Sequence, residues 1–206
     1  MTDGKISRLT SDDCKVWKFP RSDAAEDYGD FKFEELKDGQ EFKIDDMTLK
    51  VFHTPGHTTD HVILFDEQTK ALYSGDCILG EGTAVFEDLY DYMKSLELIL
   101  SLNPSVIYPG HGDVIDDPVE KIQYYINHRN ERERQILEAI VASQKPLTTM
   151  EIVKIVYTTT PRHLYPAAAV NVNQHLIKLK KEGKIVDVED GKETKWKPVA
   201  GQNNKL

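Results

Sequence analysis

Residues 48–61 read TLKVFHTPGHTTDH, and the way this stretch stops being a strand decides the rest. Thr48 to His53 have the β-branched and aromatic composition of a strand. The run ends at Thr54-Pro55-Gly56, a glycine gives the sharp backbone turn, and His57 follows at once. The same device recurs twice. ALYS leads through Gly75 to Asp76, and SVIY leads through Pro109-Gly110 to His111 and Gly112. One histidine behind a turn would be an ordinary polar loop residue. Three glycine turns in the same register, each aiming a donor over a strand end, predict that the donors converge. Two imidazoles and a carboxylate suit a borderline-soft divalent cation such as zinc. A carboxylate can also bridge two such ions ~3.5–4 Å apart, as two-metal hydrolysis requires. His53 lies inside its strand and His61 opens the next, so both read as supporting residues and not as ligands.

Working outward, EFKI and MTLKVFH form a hairpin around Asp45-Asp46, and HVILFD and ALYSG form another around EQTK. Their apolar runs predict strands buried on both faces. FEDLYDYMKSLELILSL carries Leu89, Met93, Leu96 and Leu100 at helical spacing. The strand SVIY and a long helical region from Pro118 complete an α/β layered pattern. Upstream, CKVWKF (14–19) alternates like a strand and RSDAAEDYGD (21–30) reads as polar loop.

The grammar changes after Arg129. Ile136, Leu137, Ile140 and Val141 make one helical stripe, and Thr148 and Glu151 stand in capping-box spacing at the head of a second helix. A third helix carries Ala169, Val172, Leu176 and Leu179, with Gly183 as its stop. KIVDV, EDGK and TKWKP then read as a hairpin with Asp190-Gly191 at its turn. Three short helices and a terminal hairpin are the order of a winged helix-turn-helix. Charge divides at the same place. Residues 1–130 hold 13 Lys and Arg against 26 Asp and Glu, while residues 131–206 hold 13 against 9. The expected domains are therefore 1–130 and 131–206.

No apolar run approaches the ~18 residues of a membrane span, and MTDGKISRLTSDD has none of the parts of a secretory signal. Cys14 and Cys77 fit neither a disulfide framework nor a C-x-x-C site, which points to a reducing, intracellular setting.

TPGHT, SGDCILG and YPGHG resemble the third, fourth and fifth motifs of the metallo-β-lactamase superfamily. The run from about residue 40 to 197, including GEGTAVFEDLYDYM and the winged tail, is similar to one branch of it. That branch is the metallo-β-lactamase-like protein two family, regarded as mitochondrial endoribonucleases acting on single-stranded RNA. The resemblance implies the C-terminal part of an αββα sandwich followed by a winged-helix domain, two zinc ions, and attack on a phosphodiester. It implies that His57 binds one zinc, that His111 binds the other, and that Asp76 bridges them as the catalytic carboxylate. It further implies single-stranded RNA as partner and the mitochondrial matrix as location; that no membrane is a partner follows from the lack of a long apolar run. Lys178, Lys180, Lys181 and Lys184, at the end of the third helix, are candidates for RNA-backbone contact; their plainer reading is a solvated helix end that complements the helix dipole.

The chain departs from the superfamily in one respect. An upstream H-x-H-x-D-H motif supplies the remaining ligands there, and no histidine precedes His53 here. Two ligands per ion remain, where catalytic zinc normally has three protein ligands plus water. The expectation is a shortened chain of an active hydrolase or a member that has lost hydrolysis. Two other functions stay open: a glyoxalase-II-like thioester or lactone hydrolase, for which the winged tail has no evident use, and a non-catalytic nucleic-acid or protein interaction module.

Overall fold

The computed structural model describes residues 15–21, 32–191 and 193–199; Cys14 and most of the 21–30 segment lie outside them. The centre is a five-stranded sheet in sequence order: β3 (Glu41–Ile44), β4 (Met47–His53), β5 (Val62–Asp66), β6 (Ala71–Gly75) and β7 (Val106–Pro109). The first four strands are antiparallel hairpin neighbours, as the turns at Asp45-Asp46 and 67–70 predict, with Asp45 and Lys70 in the left-handed region. β7 joins parallel to β6, and the crossover that a parallel pair demands is helix α1 (Leu89–Leu102). Asp88 caps α1 by accepting from the Asp91 amide. Upstream, β1 (Trp17–Lys18) and β2 (Glu34–Glu35) form a short parallel pair.

One face of the sheet is covered from β5 to β7. Ile63, Phe65, Leu72 and Ile107 pack against Leu89, Tyr92, Leu96 and Ile99 of α1 and against Ile122 and Tyr125 of helix α2 (Pro118–Ala142). The opposite face grades from buried at Val51 to exposed at Tyr73 and Tyr108, whose rings stack at 5.3 Å. Burial on both faces, expected from the apolar runs, therefore holds only toward β4. The reason is that α1 and α2 lie on a single side.

The C-terminal part has a core of its own. Ile136 and Ile140 of α2 meet Ile152 and Val153 of α3 (Thr149–Val156), Val172, Leu176 and Leu179 of α4 (Tyr165–Lys181), and Ile185 and Trp196 of the hairpin. That hairpin, β9 (Ile185–Asp190) with β10 (Glu193–Pro198), takes β8 (Leu147–Thr148) as a third strand. The Thr148–Glu151 capping box forms as expected. Three helices and a three-stranded wing make a winged helix. α2 runs unbroken through residues 130 and 131 and serves both cores, because NERERQILEAI offers no glycine or proline to stop it.

Candidate metal centre

Three strand ends meet at one edge of the sheet. Gly56 can turn there because it adopts φ +124°; a Cβ at that position would lie 2.3 Å from the backbone of Tyr92 in α1. The turn is tied down by Ser95, whose hydroxyl donates to the Pro55 carbonyl at 2.7 Å. The ends of β6 and β7 are joined by the Gly110 amide donating to the Gly75 carbonyl at 2.8 Å, and the Gly80 amide donates to the His111 carbonyl at 2.9 Å. A Cβ on Gly110 would come within 2.6 Å of Asp76 Oδ1, so glycine is what leaves this carboxylate its space.

The result places Asp76 between two imidazoles. His57 Nε2 stands 3.9 Å from Asp76 Oδ2, and His111 Nε2 stands 3.6 Å from Asp76 Oδ1, with the carboxylate 41% exposed. His57 Nδ1 lies 2.7 Å from the Val85 carbonyl. A carbonyl only accepts, so in the neutral ring Nδ1 carries the proton and Nε2 presents a lone pair to the carboxylate. Two acceptors facing each other across 3.9 Å are satisfied by a cation between them, and this is how the residues fit a metal. The fit is partial. Among the described residues no group of three or more His, Cys, Asp or Glu side chains closes around one point.

His53 and His61 take supporting positions. His53 stacks on Phe19 at 4.2 Å, and its Nε2 meets the Thr59 carbonyl at 2.9 Å. His61 Nδ1 pairs with the Thr54 hydroxyl at 2.9 Å, and burial, with His57 beside it, pushes its pKa down to about 4. Sequence reasoning missed the 83–88 segment, which supplies the Val85 carbonyl. That segment is held from the winged helix by Gln174, whose amide donates to the Glu87 carbonyl at 2.9 Å, and by Lys181, which pairs with Asp88. No local signal could reveal these links, because each joins residues more than 85 positions apart.

None of the four lysines is free, and only Lys181 reaches the segment that supports His57. Lys178 is corrected outright as an RNA-backbone candidate. It is only 7% exposed, and its Nζ lies 2.6 Å from both Glu133 Oε2 and Glu182 Oε1. Lys180 pairs with Asp187 at 2.8 Å, and Lys184 with Glu182 at 2.6 Å and Glu133 at 3.3 Å. Burial alone would raise the Glu133 pKa; the ammonium groups of Lys178 and Lys184 beside it reverse the sign and hold it at about 2. His175 itself is buried and neutral, its pKa lowered by burial, and its Nδ1 stands 3.9 Å from Glu133, beyond hydrogen-bond range.

Residues 7–111 match the metallo-beta-lactamase superfamily, and residues 148–196 match the beta-lactamase associated winged helix domain. The chain belongs to the metallo-beta-lactamase superfamily. Within it, the chain is similar to the beta-lactamase-like protein 2 homolog of Drosophila melanogaster, 56% identical over 187 residues that cover 87% of this chain and 63% of the relative. It is also similar to an atrochrysone carboxyl ACP thioesterase of Aspergillus fumigatus, 41% identical over 115 residues, 56% of this chain and 36% of that protein. A beta-lactamase domain protein from Burkholderia ambifaria shares the fold, with a TM-score of 0.70 and 22% identity over 82% of this chain and 53% of that one. The chain thus spans less than two thirds of the length of the relatives it matches. Among the described residues no helix is long and apolar enough to cross a membrane.

Proposed function

We propose that this chain carries part of the catalytic site of a zinc-dependent hydrolase that cleaves single-stranded RNA, working in the mitochondrial matrix. The observation that carries the reading is Asp76 standing between the Nε2 atoms of His57 and His111 at three glycine-turned strand ends. His57 with Asp76 would hold one ion, and His111 with Asp76 the other. Zinc held there supplies Lewis acidity and positive charge toward a phosphodiester. The chain's own residues orient the site: the Val85 carbonyl fixes which nitrogen of His57 is free, and Gly110 leaves room for the carboxylate.

The test uses labelled single-stranded RNA with zinc or manganese, on this chain and on the longer fly relative. Chelator-sensitive cleavage by the relative, lost when the carboxylate aligned with Asp76 becomes alanine, is the expected result. The chain alone, with two side-chain ligands per ion, is expected to hold zinc weakly and to cleave little. Two ions per chain retained through dialysis would contradict that ligand count.

A second reading is favoured by the likeness to a fungal thioesterase. An acyl thioester assayed in parallel decides between the two. Turnover of the thioester with RNA left intact would replace the first reading.

A further inference from the structure

Arg129 is a buried cation. It is 6% exposed, and among the described residues no carboxylate lies within ion-pair distance of it. Its guanidinium makes one hydrogen bond, to the Ala84 carbonyl at 3.2 Å, and sits 4.9 Å over the Phe86 ring. Its Nε is buried and has no hydrogen-bond partner among the described residues. Arginine stays charged in proteins and carries five N–H donors, and burying an unpaired charge is costly. The cation–π contact offsets only part of this cost.

The same residue forms a wall of a cavity of about 240 Å³ at the seam between the sheet domain and the winged helix. Asn171 and Gln174 of α4 face it from one side, Val85 and Phe86 from the other, and no acidic side chain contributes to the lining. Asn171 accepts from the Tyr157 hydroxyl at 3.4 Å, and its amide nitrogen donates to no protein group among the described residues. Val85 and Val170 are 73% and 68% exposed, which leaves the mouth open. Through Val85 this wall is also the support of His57, so the cavity adjoins the metal-donor edge. It is smaller than the ~300–1,000 Å³ of drug-sized pockets, which suits one group of a larger molecule.

We propose that this cavity is a phosphate-binding site, with Arg129 as its cation and Asn171 as a second donor, and that it receives a backbone phosphate of the nucleic-acid substrate beside the cleavage site. The anion requirement stands on the surroundings of Arg129. The choice of nucleic acid as its source rests on the endoribonuclease reading. Planar, forked guanidinium donors match a phosphate in bidentate fashion. The site would place part of the substrate-binding surface on the winged helix, at its packed junction and not along its lysines.

The test is made on the full chain, with chelator present and no metal, so that a negative result leaves the hydrolase reading untouched. Thermal melting and the Arg129 Nε–H resonance are followed while inorganic phosphate is added at constant ionic strength, with chloride and acetate as the other arms. Phosphate should raise Tm and shift the Arg129 resonance saturably, beyond either comparison anion. Arg129→Met should weaken phosphate at least about tenfold, the loss of one charged hydrogen bond. Val170→Trp, which leaves Arg129 in place and blocks the mouth, should do the same and stands in if Arg129→Met fails to fold. A phosphate response no larger than that to chloride, or one undiminished in Val170→Trp, would overturn the site. An equal response to acetate would overturn phosphate as its ligand.

Discussion

Two clusters in this molecule are built from histidine and a carboxylate, and they end in opposite states. At the strand ends, Asp76 stands 3.6 and 3.9 Å from two imidazoles and is open to solvent. Between α2 and α4, Glu133 stands 3.9 Å from His175 but is closed by Lys178 at 2.6 Å. In the second cluster an ammonium does what an ion would have to do in the first. The contrast teaches that residue type alone does not make a metal site. What matters is whether the fold leaves the acceptors without a cation of their own. The means differ as well: backbone turns keep the first cluster apart, and long side chains draw the second together.

The largest effect should come from the backbone that holds the first cluster open. Gly56→Ala places a Cβ against Tyr92 at a strained φ and is expected to cost about 4 kcal/mol; denaturant unfolding measures it, and a loss below ~1 kcal/mol would remove the packing argument. Next, Glu133→Gln leaves Lys178 with only Glu182 and should cost about 3 kcal/mol. Asp76→Asn in metal-free protein should cost close to nothing, since among the described residues no Lys or Arg pairs with it. Equal losses at the two carboxylates would break the comparison.

Acid sharpens it further. Glu133 titrates at about 2 in the folded chain, below the ordinary 4.5. Its contribution is full above 4.5 and is lost as pH falls toward 2. The groups facing it are His175, Lys178 and Lys184, with Glu182 sharing the two lysines. Tm followed from pH 5 to 2 should fall more in the wild type than in Glu133→Gln, and parallel curves would show that the pair is not what acid breaks. The smallest measurable loss is expected at Thr148→Ala, above the near-zero cost at Asp76 and below that at Glu133: it removes half of the capping box of α3 and should cost about 1 kcal/mol by the same unfolding measurement.

The order of elements could be read from the sequence because its signals are local. Turn residues at Asp45-Asp46, the alternation of β4 and the Thr148–Glu151 spacing each lie within a few positions of what they specify. The turns that carry His57, Asp76 and His111 were legible for the same reason. The burial of Lys178 was not, because a lysine in the last turn of a helix looks solvated until Glu133, 45 residues earlier, is brought beside it. The role of Arg129 is likewise not local: its meaning depends on Ala84 and Phe86 and on the lack of a carboxylate beside it among the described residues. The helical stripes were displaced slightly, with Ala168 buried more deeply than Ala169 and Ile99 more deeply than Leu100, since spacing defines a face only to within a residue.

α2 behaves as a beam with both ends built into masonry. Ile122 and Tyr125 anchor one end under the sheet, and Ile136 and Ile140 anchor the other among the wing helices. Its 25 residues extend ~37 Å. Severed at residue 130, it would leave stubs near the ~12-residue length at which isolated helices are marginal in water, each with one end of its support gone. The two bodies cannot rock against each other without bending this rod, nor can either melt without pulling on the other. Heating should therefore give one calorimetric transition in place of two, and a winged helix that turns with the sheet rather than swinging away from it.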